Sequence, residues 1–233
     1  MAAPRVEAND RVEGGDSPPD LKESFAVGPF APTGDPDVDA VWFPPNVWPE
    51  QVPALREAVT AYCTAMTRVA GALLELCAGA LGQEPSTLRD LATHPTWTFN
   101  INRYRDRDRD TAARSVPDRP AHRLRHRHPA RPGARAVGGC RSTSRGTVGP
   151  TRRTPPGALT VNVGDLLAHW TGHRWRAGRH RVLPPQTHAP TEDLVSLVFF
   201  FELDHDAVVT PLAPPLGRTA LEPVVSAPFL RER

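Results

Sequence analysis

The middle of this sequence is the feature that most limits what the chain can fold into. Residues 105–154 contain no aromatic residue and no isoleucine, and arginine, proline, glycine, histidine and serine dominate them. A segment with so few apolar side chains cannot bury enough surface to offset the entropy of ordering its backbone. The pattern therefore predicts disorder for residues 105–154, and it leaves the flanking segments to supply the hydrophobic core.

The composition shows that those flanks can do so. The chain has 233 residues, 39% of them hydrophobic, which is enough for one core-bearing domain. Cys63, Cys77 and Cys140 lack metal-binding spacing, and the first two lie in a helical pattern, so we interpret those two as small buried hydrophobic residues. We find no signal peptide and no membrane-spanning run. We therefore expect a monomeric cytoplasmic protein with neither a membrane nor a nucleic-acid partner.

A long amphipathic helix is predicted over about residues 50–81, within a helical lead-in region at residues 20–95. Residues 1–19, before it, are predicted to be disordered. Apolar residues of the helix recur at alternating spacings of three and four, which places them on one face. They are Val52, Leu55, Val59, Tyr62, Met66, Val69, Leu73, Leu76 and Ala80. We interpret residues 31–49 as an ordered loop pinned by aromatic anchors, and a second, short helix is predicted from Ser86 or Thr87.

Two segments have the patterns of β-strands. Residues 96–104 alternate between apolar and polar side chains, which predicts a half-buried strand. Residues 194–203 are almost wholly apolar and predict a strand at the centre of a sheet. Shorter strands are predicted at residues 170–175 and 179–183. The fold class is therefore mostly β with flanking helices, in a jelly roll or barrel.

The domain built on these strands is predicted to cover residues 96–204, with residues 105–154 disrupting it. After it, residues 205–233 form a proline-rich tail, which we interpret as coil-like from Thr210 onward.

Three sequence blocks resemble a known family. Residues 20–30 and the long helix are similar to the family's lead-in region, and Asn102-Arg103-Tyr104 is similar to its N-x-Y strand. Residues 156–201 contain P-G-A-L-T-V-N-V-G-D followed by H-R-V. In combination these motifs resemble the isopenicillin N synthase-like Fe(II)/2-oxoglutarate-dependent oxygenases. The resemblance implies a double-stranded β-helix, or jelly roll, which is incomplete here because residues 105–154 look disordered.

The same resemblance implies the chemistry of the site. Family members hold Fe(II) with two histidines and one carboxylate, which leaves neighbouring positions for 2-oxoglutarate and oxygen. His180, in R-H-R-V, matches the distal histidine, and no catalytic residue is implied beyond the metal ligands. Asn102 and Tyr104 match positions that face 2-oxoglutarate. The implied reaction is hydroxylation, desaturation or ring closure of a small molecule by oxygen.

The family's R-x-S motif is only partly present. It corresponds to Leu194-Val195-Ser196, so Ser196 fits the cosubstrate site while leucine replaces the arginine. Arginine forms a bidentate pair with the distal carboxylate of 2-oxoglutarate. Either Arg179 or Arg181 replaces that arginine, or the enzyme works without 2-oxoglutarate, as some isopenicillin N synthase-like members do.

The H-x-D motif that carries the other two iron ligands is absent between residues 104 and 156. His122 is the histidine nearest to its expected place, and Leu124 stands where the aspartate belongs. Read one base out of frame, the degenerate codons of residues 121–129 admit H-T-D-F-G. We therefore interpret residues 105–154 as out-of-frame translation. His169 and His173, close to His180, are interpreted as surface or pocket-rim residues.

Two other hypotheses remain open at this point. The first is a catalytically inactive or truncated family member, since the chain as written has one matched iron ligand. The second is an arginine-rich nucleic-acid-binding protein that uses residues 103–153 for phosphate contacts. The second lacks aromatic residues for base stacking and lacks a known binding fold.

Overall fold

A computed structural model describes the chain at residues 23–104, 140–144, 147–152, 157–177, 180–182 and 194–232. The disorder predicted for residues 1–19 lies outside the described residues. Five helices occur in the described part: α1 Pro36–Trp42, α2 Ala54–Ala80, α3 Ser86–Arg89, α4 Asp165–Trp170 and α5 Ser226–Arg231. Eight strands occur there: β1 Glu23–Val27, β2 Trp97–Tyr104, β3 Cys140–Ser144, β4 Thr147–Arg152, β5 His180–Val182, β6 Leu194–Phe201, β7 Val208–Val209 and β8 Val224–Val225.

The described strands form three sheets. Their strand orders are β1-β2-β6, β4-β3-β5 and β7-β8. The strands predicted at residues 96–104 and 194–203 are confirmed as β2 and β6. Within the described part of its sheet, however, β6 is not central as predicted, because β2 lies between β1 and β6.

The chain divides into two compact units. The first contains residues 1–26, 100–164 and 177–198. The second contains residues 27–99, 165–176 and 199–233, and it has its own hydrophobic core. That core is built from nine buried residues: Ala78, Leu81, Leu88, Ala92, Leu166, Trp170, Leu203, Ala207 and Val209.

Helix α2 confirms the predicted long helix but buries a different face along its second half. Val59, Cys63, Met66 and Ala70 are buried, as is Ala78 near its end. Two residues of the predicted stripe point to solvent instead, with Val69 38% and Leu76 69% exposed. The predicted stripe repeats every 3.5 residues, whereas an α-helix turns once in 3.6, so the two drift apart by about 20° per heptad. The predicted stripe therefore departs from the buried face along the later part of α2.

Three predictions about local structure are wrong. Residues 31–49 contain helix α1, because Asp35 Oδ1 accepts from the backbone N–H groups of Asp37 (2.9 Å) and Val38 (3.3 Å) and caps it. Residues 165–170 form α4 where a strand was predicted to begin at Trp170, because Leu166 and Trp170 share a helix face that packs into the second unit's core. The tail is not a coil either.

The tail contains β7, β8 and α5, and it is held by backbone hydrogen bonds. Leu212 N–H donates to the carbonyl of Trp170 (2.7 Å), and Thr219 N–H donates to that of Gly172 (2.9 Å). Gly172 has φ 54°, and a Cβ there would lie 2.5 Å from the Thr219 carbonyl oxygen. Glycine is therefore required where the tail crosses.

The disorder predicted for residues 105–154 is wrong for two parts of that stretch. Cys140–Ser144 pairs antiparallel with both Thr147–Arg152 and His180–Val182, so that Ser142 lies opposite His180. Alternating backbone hydrogen bonds stabilise a strand pair without a long apolar run. Residues 105–139 lie outside the described part.

Two findings concern the described residues alone. Cys63 and Cys77 are free thiols, Cys63 being completely buried, which confirms their interpretation as core residues and not as a disulfide. None of the helices in the described part has the length and apolar character needed to span a bilayer.

Candidate functional site

Strand β2 divides its side chains between an aromatic face and a polar face, because side chains alternate along a strand. On the aromatic face, the Phe99 ring lies 4.9 Å from Tyr62 of α2, and the Trp97 ring lies 5.4 Å from Phe199 of β6. Thr98, Asn100 and Asn102 therefore lie on the polar face. The polar face contains the N-x-Y motif, so it is where a ligand site is expected.

The pairing of β2 with β6 brings two predicted site residues together. Glu202 N–H donates to the Thr96 carbonyl (2.9 Å), and Thr96 N–H donates to the Leu203 carbonyl (3.4 Å), which marks a bulged antiparallel pair at the strand ends. Both strands have eight residues. If this register continues along both strands, Asn102 lies opposite Ser196. A directly opposite pair has Cβ atoms about 4.5–5.5 Å apart.

Asn102 and Ser196 are both buried, with 3% and 7% of their surfaces exposed. Ser24 of β1 donates its hydroxyl hydrogen to Asn102 Oδ1 across 2.7 Å. This bond fixes the orientation of the amide, because Oδ1 is held as the acceptor. The Nδ2 hydrogens are thereby directed to the other side, where an amide and a serine hydroxyl can both donate to a carboxylate.

Asn100 lies on the same polar face, two residues before Asn102 on β2. Its Oδ1 atom is buried, and none of the described residues donates a hydrogen bond to it. Burying such an acceptor unpaired costs roughly 1–3 kcal/mol, so the atom is an exception that calls for a cause. The signal that would have identified it is its spacing, two residues before Asn102 on the same face.

The predicted iron ligands are described only in part. His180 is the first residue of β5, where its backbone pairs with that of Ser142, and its side chain lies outside the described residues. His122 lies outside them altogether, and so does the side chain of Tyr104, the last residue of β2. Among the side chains that are described, no three His, Cys, Asp or Glu residues group as a metal site. The iron assignment therefore stays a prediction.

His169 is not a surface residue, and this corrects its interpretation. It is 8% exposed, its Nε2 lies 2.9 Å from the Glu222 carbonyl oxygen, and its ring lies 5.1 Å from that of Phe229. His169 therefore joins α4 to the tail. Its neighbour His173 ends the turn after α4 with φ 60°.

Two side chains on the aromatic side of β2 have raised pKa values because they are buried among apolar groups. Burial raises the pKa of the Cys63 thiol to about 12. Burial, followed by the nearby Cys63, raises the pKa of Tyr62 to about 12. A low dielectric disfavours the charged form of each group, so both stay protonated at neutral pH. This side of the strand is therefore suited to stability and not to metal binding.

Comparison with characterised proteins gives one long match. The chain is 42% identical to validamycin A dioxygenase from Streptomyces hygroscopicus subsp. limoneus, over 93% of this chain and 60% of that protein. The chain thus spans about 60% of the length of this relative. No protein-family model matches the chain.

Solved structures agree with the sequence match. A 2OG-Fe(II) oxygenase family protein from Caulobacter crescentus superimposes with a TM-score of 0.78 at 23% identity, covering 96% of this chain and 72% of that one. JOX2, crystallised with 2-oxoglutarate, iron and JA, superimposes with a TM-score of 0.69 at 19% identity, covering 91% and 60%. In sequence and in fold the chain is thus similar to Fe(II)/2-oxoglutarate-dependent oxygenases. The jelly-roll fold class of this family is confirmed.

Oxygenases of this family use Fe(II) with 2-oxoglutarate as cosubstrate. Of the three residues predicted to face 2-oxoglutarate, the structure brings Asn102 and Ser196 to one face of one sheet. The side chain of Leu194, which replaces the family arginine, lies outside the described residues. So do those of Arg179 and Arg181, the residues predicted to replace it.

Proposed function

We propose that the protein oxidises a small molecule with oxygen, using Fe(II) and 2-oxoglutarate. The outcome is hydroxylation, desaturation or ring closure. The observation that carries the proposal is the polar face of β2 and β6, where buried Asn102 and Ser196 lie opposite each other in a chain similar to these oxygenases. A monomeric state and a cytoplasmic location stay predictions.

The polar face fits a carboxylate ligand. The Ser24–Asn102 hydrogen bond turns the Asn102 amide nitrogen away from Ser24, and Ser196 adds a hydroxyl donor. Hydrogen bonds to an ionised group are stronger than neutral ones, so two buried donors fix the position of 2-oxoglutarate well. The positive charge that the family takes from arginine is proposed to come from Arg179 or Arg181.

The proposed iron ligand is His180, on β5. Fe(II), when bound, supplies adjacent coordination positions for 2-oxoglutarate and oxygen. The described residues do not complete a donor set, so the second histidine and the carboxylate are proposed to belong to the H-x-D motif of the correct reading frame. His122 marks its place. Resequencing the gene across the codons of residues 105–154 tests this, and an uninterrupted reading frame there would refute it.

The relative's name suggests a first substrate to test. Validamycin A dioxygenase matches 93% of this chain, so we propose validamycin A as the candidate substrate. The test is succinate formation from 2-oxoglutarate, measured with and without validamycin A. Turnover that rises with validamycin A supports the candidate, whereas turnover without that response retains the oxygenase and rejects this substrate.

Iron content tests the metal site directly. Iron bound per chain is measured for the wild type, for His180→Ala and for His94→Ala, whose side chain is exposed and outside the site. We expect His180→Ala to lose bound iron and His94→Ala to retain it. A wild type that neither binds iron nor consumes 2-oxoglutarate would instead support the inactive family member.

A further inference from the structure

The polar face contains one atom that the proposed cosubstrate site does not use. Asn100 lies two residues before Asn102 on β2, and its buried Oδ1 atom receives no hydrogen bond from any residue that the structure describes. The remainder of the Asn100 side chain is half-buried. A buried carbonyl oxygen without a donor is unfavourable, and an acceptor held ready for a ligand is one cause of such an exception.

The described residues around Asn100 supply no donor to its side-chain oxygen. The register of β2 and β6 places Val198 opposite Asn100, and Val198 is 1% exposed and has no polar side-chain atom. Asn102, the next residue along the same face, has its own Oδ1 occupied by the Ser24 hydroxyl. A bound molecule can supply the donor that these described neighbours do not.

Two small molecules could supply this donor, 2-oxoglutarate and the molecule that is oxidised, and their chemistry distinguishes them. At neutral pH 2-oxoglutarate has two carboxylates and a ketone, all hydrogen-bond acceptors, so it has no hydrogen to donate to Asn100 Oδ1. We propose that Asn100 Oδ1 accepts a hydrogen bond from a hydroxyl or amine group of the molecule that is oxidised. This inference rests on the proposed function. It makes Asn100 a specificity-determining residue for substrates with such a donor, because analogues without it would leave the acceptor unpaired.

A comparison of unfolding distinguishes this role from a structural one. Asn100→Leu removes the unpaired oxygen and retains most of the volume, whereas Asn102→Leu, the matched control, breaks the bond to Ser24. We expect the thermal midpoint of substrate-free Asn100→Leu to equal or exceed that of the wild type, and that of Asn102→Leu to fall. A fall in Asn100→Leu as large as that in Asn102→Leu would overturn the proposal.

Ligand-induced stabilisation tests the bond itself. The thermal midpoint is measured with 2-oxoglutarate alone and with 2-oxoglutarate plus validamycin A, for the wild type, Asn100→Leu and Asn100→Asp. We expect the same shift with 2-oxoglutarate in all three, and an affinity for validamycin A about tenfold weaker in Asn100→Leu. Asn100→Asp retains an acceptor oxygen and should recover most of that affinity.

The remaining outcomes each decide one proposal. Equal affinity for validamycin A in the wild type and Asn100→Leu overturns the role of Asn100, and so does a 2-oxoglutarate shift lost in Asn100→Leu. If validamycin A leaves the wild type unshifted, the unfolding comparison alone decides. If 2-oxoglutarate leaves it unshifted, the proposed function fails, while the unfolding comparison still shows whether Asn100 is a structural residue.

Discussion

The two faces of β2 differ in how completely their side chains are paired. On the aromatic face, Trp97 packs against Phe199 and Phe30, and Phe99 packs against Tyr62, with ring centroids 4.9–5.4 Å apart. Large aromatic surfaces and well-placed ring pairs both favour the folded state. This face has no polar group of β2 to satisfy.

The polar face is buried too, but its hydrogen bonding is incomplete. Asn102 is held by Ser24, whereas Asn100 Oδ1 has no donor within the described part of the chain. One strand therefore contributes to both stability and ligand binding, because alternate side chains point to opposite sides of a sheet. Changes on the aromatic face should alter stability, and changes on the polar face should alter ligand binding.

The largest effect is expected from Phe99→Ala on the aromatic face. Phe99 is 2% exposed, so its removal leaves a cavity beside Tyr62 and should cost about 3–5 kcal/mol in the free energy of unfolding. Denaturant unfolding measures this. Leu76→Ala, at a residue 69% exposed, is the control and should change stability by less than about 0.5 kcal/mol. Similar losses in both variants would mean that this face is not the stabilising one.

Asn102→Leu should have the next largest effect, and mainly on binding. It removes the amide donor and the acceptor of Ser24, so we expect at least about a tenfold loss of 2-oxoglutarate affinity. The loss of stability should be about 1 kcal/mol. Calorimetric titration with 2-oxoglutarate measures the first. Ser24→Ala retains the Asn102 amide, so it should lose stability but little affinity for 2-oxoglutarate. A loss of affinity equal to that of Asn102→Leu would contradict a separate role of the amide in binding.

Alkaline pH should destabilise the aromatic side of the molecule. The pKa of Cys63 is raised from 9.0 to about 12 in the folded state, so the unfolded chain releases this proton first. Stability from this group is therefore complete below pH 9 and is lost as pH rises towards 12. In Cys63→Ala the decline should begin closer to pH 10, where Tyr62 starts to contribute. Unfolding midpoints of the wild type and of Cys63→Ala are measured from pH 8 to pH 11. If Cys63 were hydrated in the folded state, the two sets of midpoints would decline in parallel.

The smallest effect is expected from Ser196→Ala. The substitution removes one hydroxyl from the polar face opposite Asn102 and leaves the carbon framework nearly unchanged. We expect a loss of 2-oxoglutarate affinity of a few fold, with stability changed by less than about 1 kcal/mol. Val195→Ala, on the adjacent residue at 49% exposure, is the matched control and should leave that affinity unchanged.

Patterns that depend on neighbouring residues were predicted well. The alternation of residues 96–104, the apolar run of β6 and the long helix α2 all occur in the structure. Asn102 and Ser196 each belong to a short motif, and their place at the 2-oxoglutarate site stays a prediction. Each of these features depends on a local period or a short motif.

Other features depend on what packs against a segment. Helix α4 is too short for a reliable period, and it forms because Leu166 and Trp170 fit the second unit's core. The tail was expected to be coil, yet its Leu212 and Phe229 pack against that core. Strands β3 and β4 have few apolar residues and depend on pairing partners.

The sequence by itself determined the strand periods and the resemblance to the oxygenases, and it predicted Asn102 and Ser196 as residues of the 2-oxoglutarate site. The tertiary structure decided which of those residues meet, since only strand register places Asn102 opposite Ser196. It also decided that no described neighbour donates to Asn100, because whether a buried oxygen is paired depends on which residues surround it in space. A sequence lists hydrogen-bonding groups, but only packing determines which of them remain unpaired.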